Sequence, residues 1–431
     1  MDGIIAQILG LSGSAADLSS LHQTLQQSRI QEHLDSIPAA LQTLEPAQHS
    51  LGMLWLLEVQ SRGLDATGSQ QFVDTACAFL MQCQAEQIRL APELFARLCR
   101  KLKSQVVALR TPQVAILPMQ SAIRCLQDSP AVLTPMHADF FQLCLLAKNY
   151  KAAAPLLAED ILDVDPAHTS CTPTDLYLYS YYGSMLCMGR KEWGQALTLL
   201  MLSLGAPAAV SNAIVLAAYK KYVLATLIHK GTVPTLPKYV SQVVRSMTDT
   251  EARPYNELSA AYCSHNSAKT HRVVELHQAV FNADGNMGLV KRVLATLTAR
   301  HVQRLTTTFL TLSLADIAAH IGAASVQAVE LLILRMVDEG SIAARISDTD
   351  GGMVHFLADK DECRTAEMTR KLQSCMAQCM ALSEHVTAAH EAMATDREYL
   401  RKVTGKERLL RYDTAAEEAA GLGSSGMFHA P

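Results

Sequence analysis

Cys375, Cys379, His385 and His390 are residue types that hold zinc, and C-x3-C followed by two histidines invites that chemistry. A site of this composition needs a longer spacer before the histidines, so that the chain can turn back on itself. Here both cysteines fall on one stripe of a helical pattern and the histidines lie beside it. One continuous helix cannot wrap all four round an ion, so the cysteines read as structural thiols. GLGSSG (421–426) spells G-x-G-x-x-G, which binds a dinucleotide where a strand delivers the glycines to a helix N-terminus. AAEEAA precedes it and the sequence ends five residues later, leaving no room for a crossover helix. No H-E-x-x-H, G-x-S-x-G or H-x-H occurs; GLSGS near the start lacks the second spacing. His271 and His277 lie on a helical stretch, where solvated or capping roles are expected. No catalytic, cofactor or metal site is expected, and the chain reads as a non-enzyme.

The elements around these residues belong to a chain long enough to bury a large core. It has 431 residues, 49% hydrophobic and 18% charged, and a net charge of -4 that does not mark it as a polyanion binder. Eleven scattered cysteines without a C-x-x-C read as reduced thiols of an intracellular protein. MDGIIAQILG carries an acid where a secretory signal needs a base, and ALTLLMLSLGAPAAV is too short and interrupted to span a bilayer. A soluble protein of the cytoplasm and nucleus is expected, with no membrane partner.

Residues 1–300 are helical in pattern, with apolar residues three or four apart and prolines between the periodic stretches. Examples are 85–110, 135–150 and 212–231, the last stopped by Gly231 and Pro234. Gly189 is expected to separate a helix through Tyr182 from one starting near Trp193. LLAKNYKAAAPLL and MGRKEWGQALTLL repeat one spacing: an aromatic (Tyr150, Trp193), a small residue three on (Ala153, Ala196), and a leucine four beyond (Leu157, Leu200). That spacing lets a helix close on its hairpin partner and suits a degenerate tetratricopeptide-like solenoid; an irregular bundle is the alternative.

After residue 305 the pattern changes. Phe309–Leu312 reads as a short strand. Ser313 then caps a helix with Asp316 in capping-box position, with a stripe of Leu314, Ile317, Ala318 and Ile321, ended by Gly322. Ser325 caps a second helix, ended by Gly340, and Ile342, Ala344 and Ile346 alternate as a half-buried strand. A turn with Asp350-Gly351-Gly352 leads to a returning strand, 353–357. Strand, helix, helix, hairpin is the winged-helix order.

Many such domains read DNA with the second helix, whose outer face must then neutralise phosphate. A helical wheel puts Val326, Val329, Leu332, Ile333, Met336 and Val337 inside. It leaves Gln327, Glu330, Leu331, Leu334, Arg335 and Asp338 outside. Two acids against one base repel phosphate, and Arg345 is offset by Asp348 and Asp350, so no nucleic acid is expected. Leu331 and Leu334 suggest a protein contact, an extra turn of core being the alternative. Beyond the wing, Met368, Leu372, Cys375, Cys379, Leu382, Val386, Ala389 and Met393 are spaced 4-3-4-3-4-3-4, an unbroken heptad seam. It predicts helical partners, unless the helix folds back on the domain before it.

The fold class expected is mostly α: a TPR-like solenoid, a winged helix and a long C-terminal helix. The expected divisions are helical repeats over 1–205 and a domain over 206–360, helical to 305 and winged from 306. A heptad helix over 361–404 and a mobile tail over 405–431 complete them. Helical repeats running into a winged helix are the architecture of the PCI-domain family, which supplies subunits of the proteasome lid, the COP-nine signalosome and initiation factor three. HADFFQLCLLAKNYKAAAPLL, YKKYVLATLIHKG, LPKYVSQVVRS, DGNMGLVKRVL and HVQRLTTTFLTLSLADIAAHIG resemble the signalosome branch, in blocks from about 50 to 357. The resemblance implies a non-catalytic scaffold subunit of the complex that deneddylates cullin-RING ubiquitin ligases. It further implies winged helices paired edge to edge with other signalosome subunits, and C-terminal helices joined in a shared bundle. The catalytic subunit's metal signature would need the H-x-H that this sequence lacks. The interface candidates are Leu331, Leu334, Arg345 and the eight seam residues. A proteasome lid subunit, or a nucleic-acid-binding PCI protein of messenger-RNA export, is the alternative.

Overall fold

Prolines set where the long helices begin. Pro92, Pro135 and Pro173 open the helices Pro92–Ala108, Pro135–Leu146 and Pro173–Gly189. In a first turn the missing N–H has no partner to lose, and the fixed φ already suits the helix. Thr134 with His137, and Thr172 with Asp175, close reciprocal caps on two of these starts. Pro92 also cuts the 85–110 stretch into the single turn Ala85–Ile88 and the long helix after it.

The computed structural model describes residues 2–10, 15–27, 37–63, 68–208, 210–264, 266–322, 325–347, 352–357 and 365–405. The wing turn with Asp348 and Asp350, the GLGSSG run and the expected tail from 406 onward lie outside the described residues. The chain divides into two compact units, Met1–Leu305 and Thr306–Pro431. None of the described helices is by itself long and apolar enough to cross a membrane.

In the first unit the long helices from Pro135 to Cys263 lie on one another in chain order. Pro135–Leu146 packs on Pro173–Gly189, that on Trp193–Gly205, that on Ala213–His229, and Ala213–His229 on Arg253–Cys263. This nearest-neighbour stacking is the solenoid arrangement, and one core runs through it from Ile8 to Leu297. At the two repeated junctions Ala153, Leu157, Ala196 and Leu200 are buried while Tyr150 and Trp193 are half-buried at the elbows. The first helix runs past Tyr182 to Gly189 itself, Lys191, at φ 65°, makes the turn, and the next helix starts at Trp193. An added Cβ at 189 would stand 3.1 Å from the nearest carbon of the Tyr150 ring, a contact that the ring would have to ease.

Charged groups that enter this unit find partners across helices. Lys103 Nζ donates to Asp139 at 2.6 Å and Arg100 to Asp175 at 3.0 Å. Asp284 accepts from Lys220 at 2.8 Å and from the Tyr255 hydroxyl at 2.8 Å, and Lys221 donates to Asn286 at 2.8 Å. Such pairs hold a register, since losing one partner would strand the other. His137 is fully buried, and burial pulls its pKa down to about 4, so the imidazole is neutral; its Nδ1 accepts the Thr134 N–H at 3.1 Å.

The second unit carries a three-stranded antiparallel sheet: β1 (Thr311–Ser313), β2 (Ala344–Ser347) and β3 (Met353–Phe356), in the order β1-β3-β2. The helices Leu314–Ile321 and Val326–Asp338 lie between β1 and β2 in the chain, completing the winged-helix order. Strand β1 is displaced from the expected 309–312. The helix Met287–Thr308 runs on through Thr308, Phe309 turns its ring towards His320 at 6.2 Å, and pairing starts with Thr311 opposite His355. Leu314, Ile317, Val329, Ile333, Met336, Ile342, Val354 and Phe356 form the buried set. Val326, expected inside, is 44% exposed, because it stands one turn ahead of Val329, where the buried stripe begins.

Candidate subunit interface

A helix presents as much apolar surface as its neighbours leave uncovered, and the second unit leaves a good deal. Val326–Asp338 starts at Ser325, whose hydroxyl accepts the Ala328 N–H at 3.2 Å. It is followed by Gly340 at φ 67°, a left-handed position that glycine takes without strain. Between these stops Val329, Ile333 and Met336 face the core at spacings of four and three. Leu331 and Leu334 therefore point away from it, 64% and 46% exposed, so they are not the extra turn of core that was the alternative. Burying one such side chain contributes about 1.5–3 kcal/mol, a gain this unit forgoes. Glu330, Arg335 and Asp338 flank them, so the outer face carries no excess of positive charge.

The sheet adds two edges. With β3 in the middle, β1 and β2 each have one strand neighbour among the described residues, and an unpaired edge is a template for a further strand. Arg345 lies exposed on β2, in register with His355. Leu310 and Leu357, at the strand ends, are 82% and 56% exposed. Both lie inside the strands expected from sequence, 309–312 and 353–357, but fall just beyond Thr311–Ser313 and Met353–Phe356 in the structure.

The heptad helix spans Ala366–Thr395 and starts where the Thr365 hydroxyl accepts the Met368 N–H at 3.2 Å. It stops at Asp396, whose ψ of 127° is extended; residues 397–405 are helical again. No residue of Ala366–Thr395 is buried. Of the seam, Met368 is half-exposed and Leu372, Cys375, Cys379, Leu382, Val386, Ala389 and Met393 are exposed. The helix therefore does not fold back to cover its seam. Met376 and Met380, each 64% exposed, widen the stripe into a face. A strict 4-3 reading passes over them, although methionine suits an adaptable contact.

Leu331, Leu334 and Arg345 thus share the winged unit, and the eight seam residues share one helix face. Cys375, Cys379, His385 and His390 all stand exposed on that helix, and no group of three or more His, Cys, Asp or Glu able to hold a metal occurs among the described residues. His271 is exposed, while His277 sits at a helix junction with Nε2 2.7 Å from Glu257 Oε2.

Two family models match the chain. Residues 12–244 match the N-terminal helical repeats of COP9 signalosome complex subunit 3, and residues 269–356 match the PCI domain. The chain is 38% identical over 419 residues to the COP9 signalosome complex subunit 3 of Arabidopsis thaliana, covering 96% of this chain and 95% of that protein. It is 30% identical over 389 residues to the Dictyostelium discoideum protein of the same name, covering 89% and 92%.

Proposed function

The chain belongs to the COP9 signalosome subunit 3 family, and from that we propose that it is a non-catalytic scaffold subunit of a signalosome, the assembly that deneddylates cullins. It meets cullin-RING ligases only through the assembled complex. Its helical repeats, 1–205, reach outward; its PCI part, 206–360, pairs with neighbouring subunits; and residues 361–404 enter a shared helical bundle. The observation that carries this reading is the helix Ala366–Thr395, thirty residues with a heptad seam and no buried residue. A stripe of that kind in water is stabilised by other helices. Leu331, Leu334 and the β2 edge with Arg345 supply a second contact, made to protein and not to nucleic acid. The complex works in cytoplasm and nucleus.

Native mass spectrometry of the tagged chain, purified from its own cells, tests the proposal. The expected result is a stoichiometric assembly of several PCI subunits with one subunit bearing an H-x-H metal signature. Recovery as a free monomer, or with ribonucleoprotein alone, contradicts it.

A further inference from the structure

Two thiols far apart in sequence meet in the first unit. The sulfurs of Cys83 and Cys125 stand 3.6 Å apart, with 42 positions of chain between them. Cys83 is the residue that follows the helix Ser69–Gln82, in extended conformation (φ -65°, ψ 147°). It caps the helix, its N–H donating to the Phe79 carbonyl at 2.9 Å, and is half-buried. Cys125 stands in the last turn of Ile116–Leu126 and is 8% exposed. The two helices pack on each other. A clamp beside the pair holds them there: Arg89 pairs with Asp128 at 2.7 Å and donates to the Gln127 carbonyl, joining the end of Ala85–Ile88 to the end of Ile116–Leu126. A disulfide needs about 2.05 Å between sulfurs, so the pair has to close by about 1.5 Å, within reach of side-chain rotation at a position outside a helix.

We propose that Cys83 and Cys125 form a redox-sensitive dithiol, which a hydroperoxide converts into an intramolecular disulfide. The Cys125 thiolate attacks one oxygen of the peroxide; the O–O bond breaks, a sulfenic acid forms, and hydroxide leaves to take up a proton. The Cys83 thiolate then attacks that sulfur; the S–S bond forms and the sulfenyl oxygen leaves as water. Two thiols and one hydrogen peroxide give one disulfide and two waters, the sulfurs losing two electrons to the O–O bond. The surroundings assign the order. The hydrogen bond from Cys83 holds the Cys125 thiol below its ordinary pKa, with Arg89 adding to the effect, while the same bond and burial push the Cys83 thiol up. Once Cys125 is oxidised, Cys83 loses the thiolate partner of that hydrogen bond, the larger of the two effects that raised it. Cys99, the third thiol nearby, is fully buried, and desolvation keeps it protonated and unreactive. The bridge would enclose Ala85–Ile88 and Pro92–Ala108, fastening two successive helix pairs of the repeat.

The full chain, treated with hydrogen peroxide and then with a maleimide, tests this by peptide mass mapping. The expected result is a linked peptide pair holding Cys83 and Cys125. Labelling at both should fall several-fold and return with dithiothreitol. The oxidised chain should melt above the reduced one, and Cys83→Ser or Cys125→Ser should abolish that difference. Protection of Cys83 that persists in Cys125→Ser overturns the proposal. So does free labelling of both while the exposed Cys263 is consumed.

Discussion

The two units handle the wrong kind of side chain in opposite ways. In Met1–Leu305 carboxylates turn inward and meet donors from other helices: Asp139 pairs with Lys103, Asp175 with Arg100, and Asp284 with Lys220 and the Tyr255 hydroxyl. In Thr306–Pro431 apolar groups turn outward: Leu331, Leu334, Leu310 and a whole face of Ala366–Thr395 remain in water. A buried charge without its partner costs several kcal/mol, so the first arrangement closes on itself. Exposed leucines cost nothing until a partner offers to bury them, so the second stays open. The first unit exposes leucines too, Leu117 and Leu276 among them, but only the second leaves a whole thirty-residue helix without a buried residue.

Breaking that contrast has its largest expected effect in the heptad helix. Leu382→Pro removes a helical N–H mid-seam and costs the helix about 3 kcal/mol or more. Co-purification with other signalosome subunits should be lost while the melting of the first unit is unchanged; unaltered co-purification would show that the seam is not a contact. Phe141→Ala does the converse. It empties a fully buried site between Pro135–Leu146 and Pro173–Gly189 and should destabilise the first unit by about 3–5 kcal/mol, read from denaturant unfolding.

Acid sharpens the same contrast. The folded pKa of His137, about 4, lies below the ordinary 6.5, so its contribution is present above pH 6.5 and is lost as pH falls through 4. The first unit should lose about 3 kcal/mol between pH 7 and 4 from this group alone, and His137→Gln should flatten the profile in that window. Leu331→Asp should weaken partner binding while shifting the stability of the isolated chain by less than about 0.5 kcal/mol, as surface changes do. A large loss would show the leucine is core. Smallest of all, no salt-sensitive micromolar binding of duplex DNA or RNA to the purified chain is expected at physiological salt, and its appearance would revive a nucleic-acid role.

Periodicity and local caps carried the second unit into view. Ser313, Gly322, Ser325 and Gly340 act within a few residues of their own positions, and the caps and left-handed glycines stand where the sequence places them. The heptad seam was legible for the same reason, since it concerns one helix. What stayed hidden depends on residues remote in sequence. Gly189 packs against the ring of Tyr150, 39 positions earlier. Lys103 and Asp139, 36 apart, and the Cys83–Cys125 contact carry no local signal. Val326 and Phe309 were misplaced at element ends, where packing decides what periodicity does not. Of the interface candidates, Leu331 and Leu334 were visible because the wheel separates them from Val329, Ile333 and Met336. Met376 and Met380 were not, because they lie off the 4-3 seam, and Leu310 and Leu357 were not, because the expected strands extended over them while the observed ones stop short.

The central claim is that residues 368–393 form a helix face completed only by other chains. Hydrogen exchange of these amides, in the isolated chain and in the purified complex, tests it most directly. Fast exchange alone and strong protection in the complex is the predicted result. Protection already present in the isolated monomer, unchanged on assembly, would contradict it.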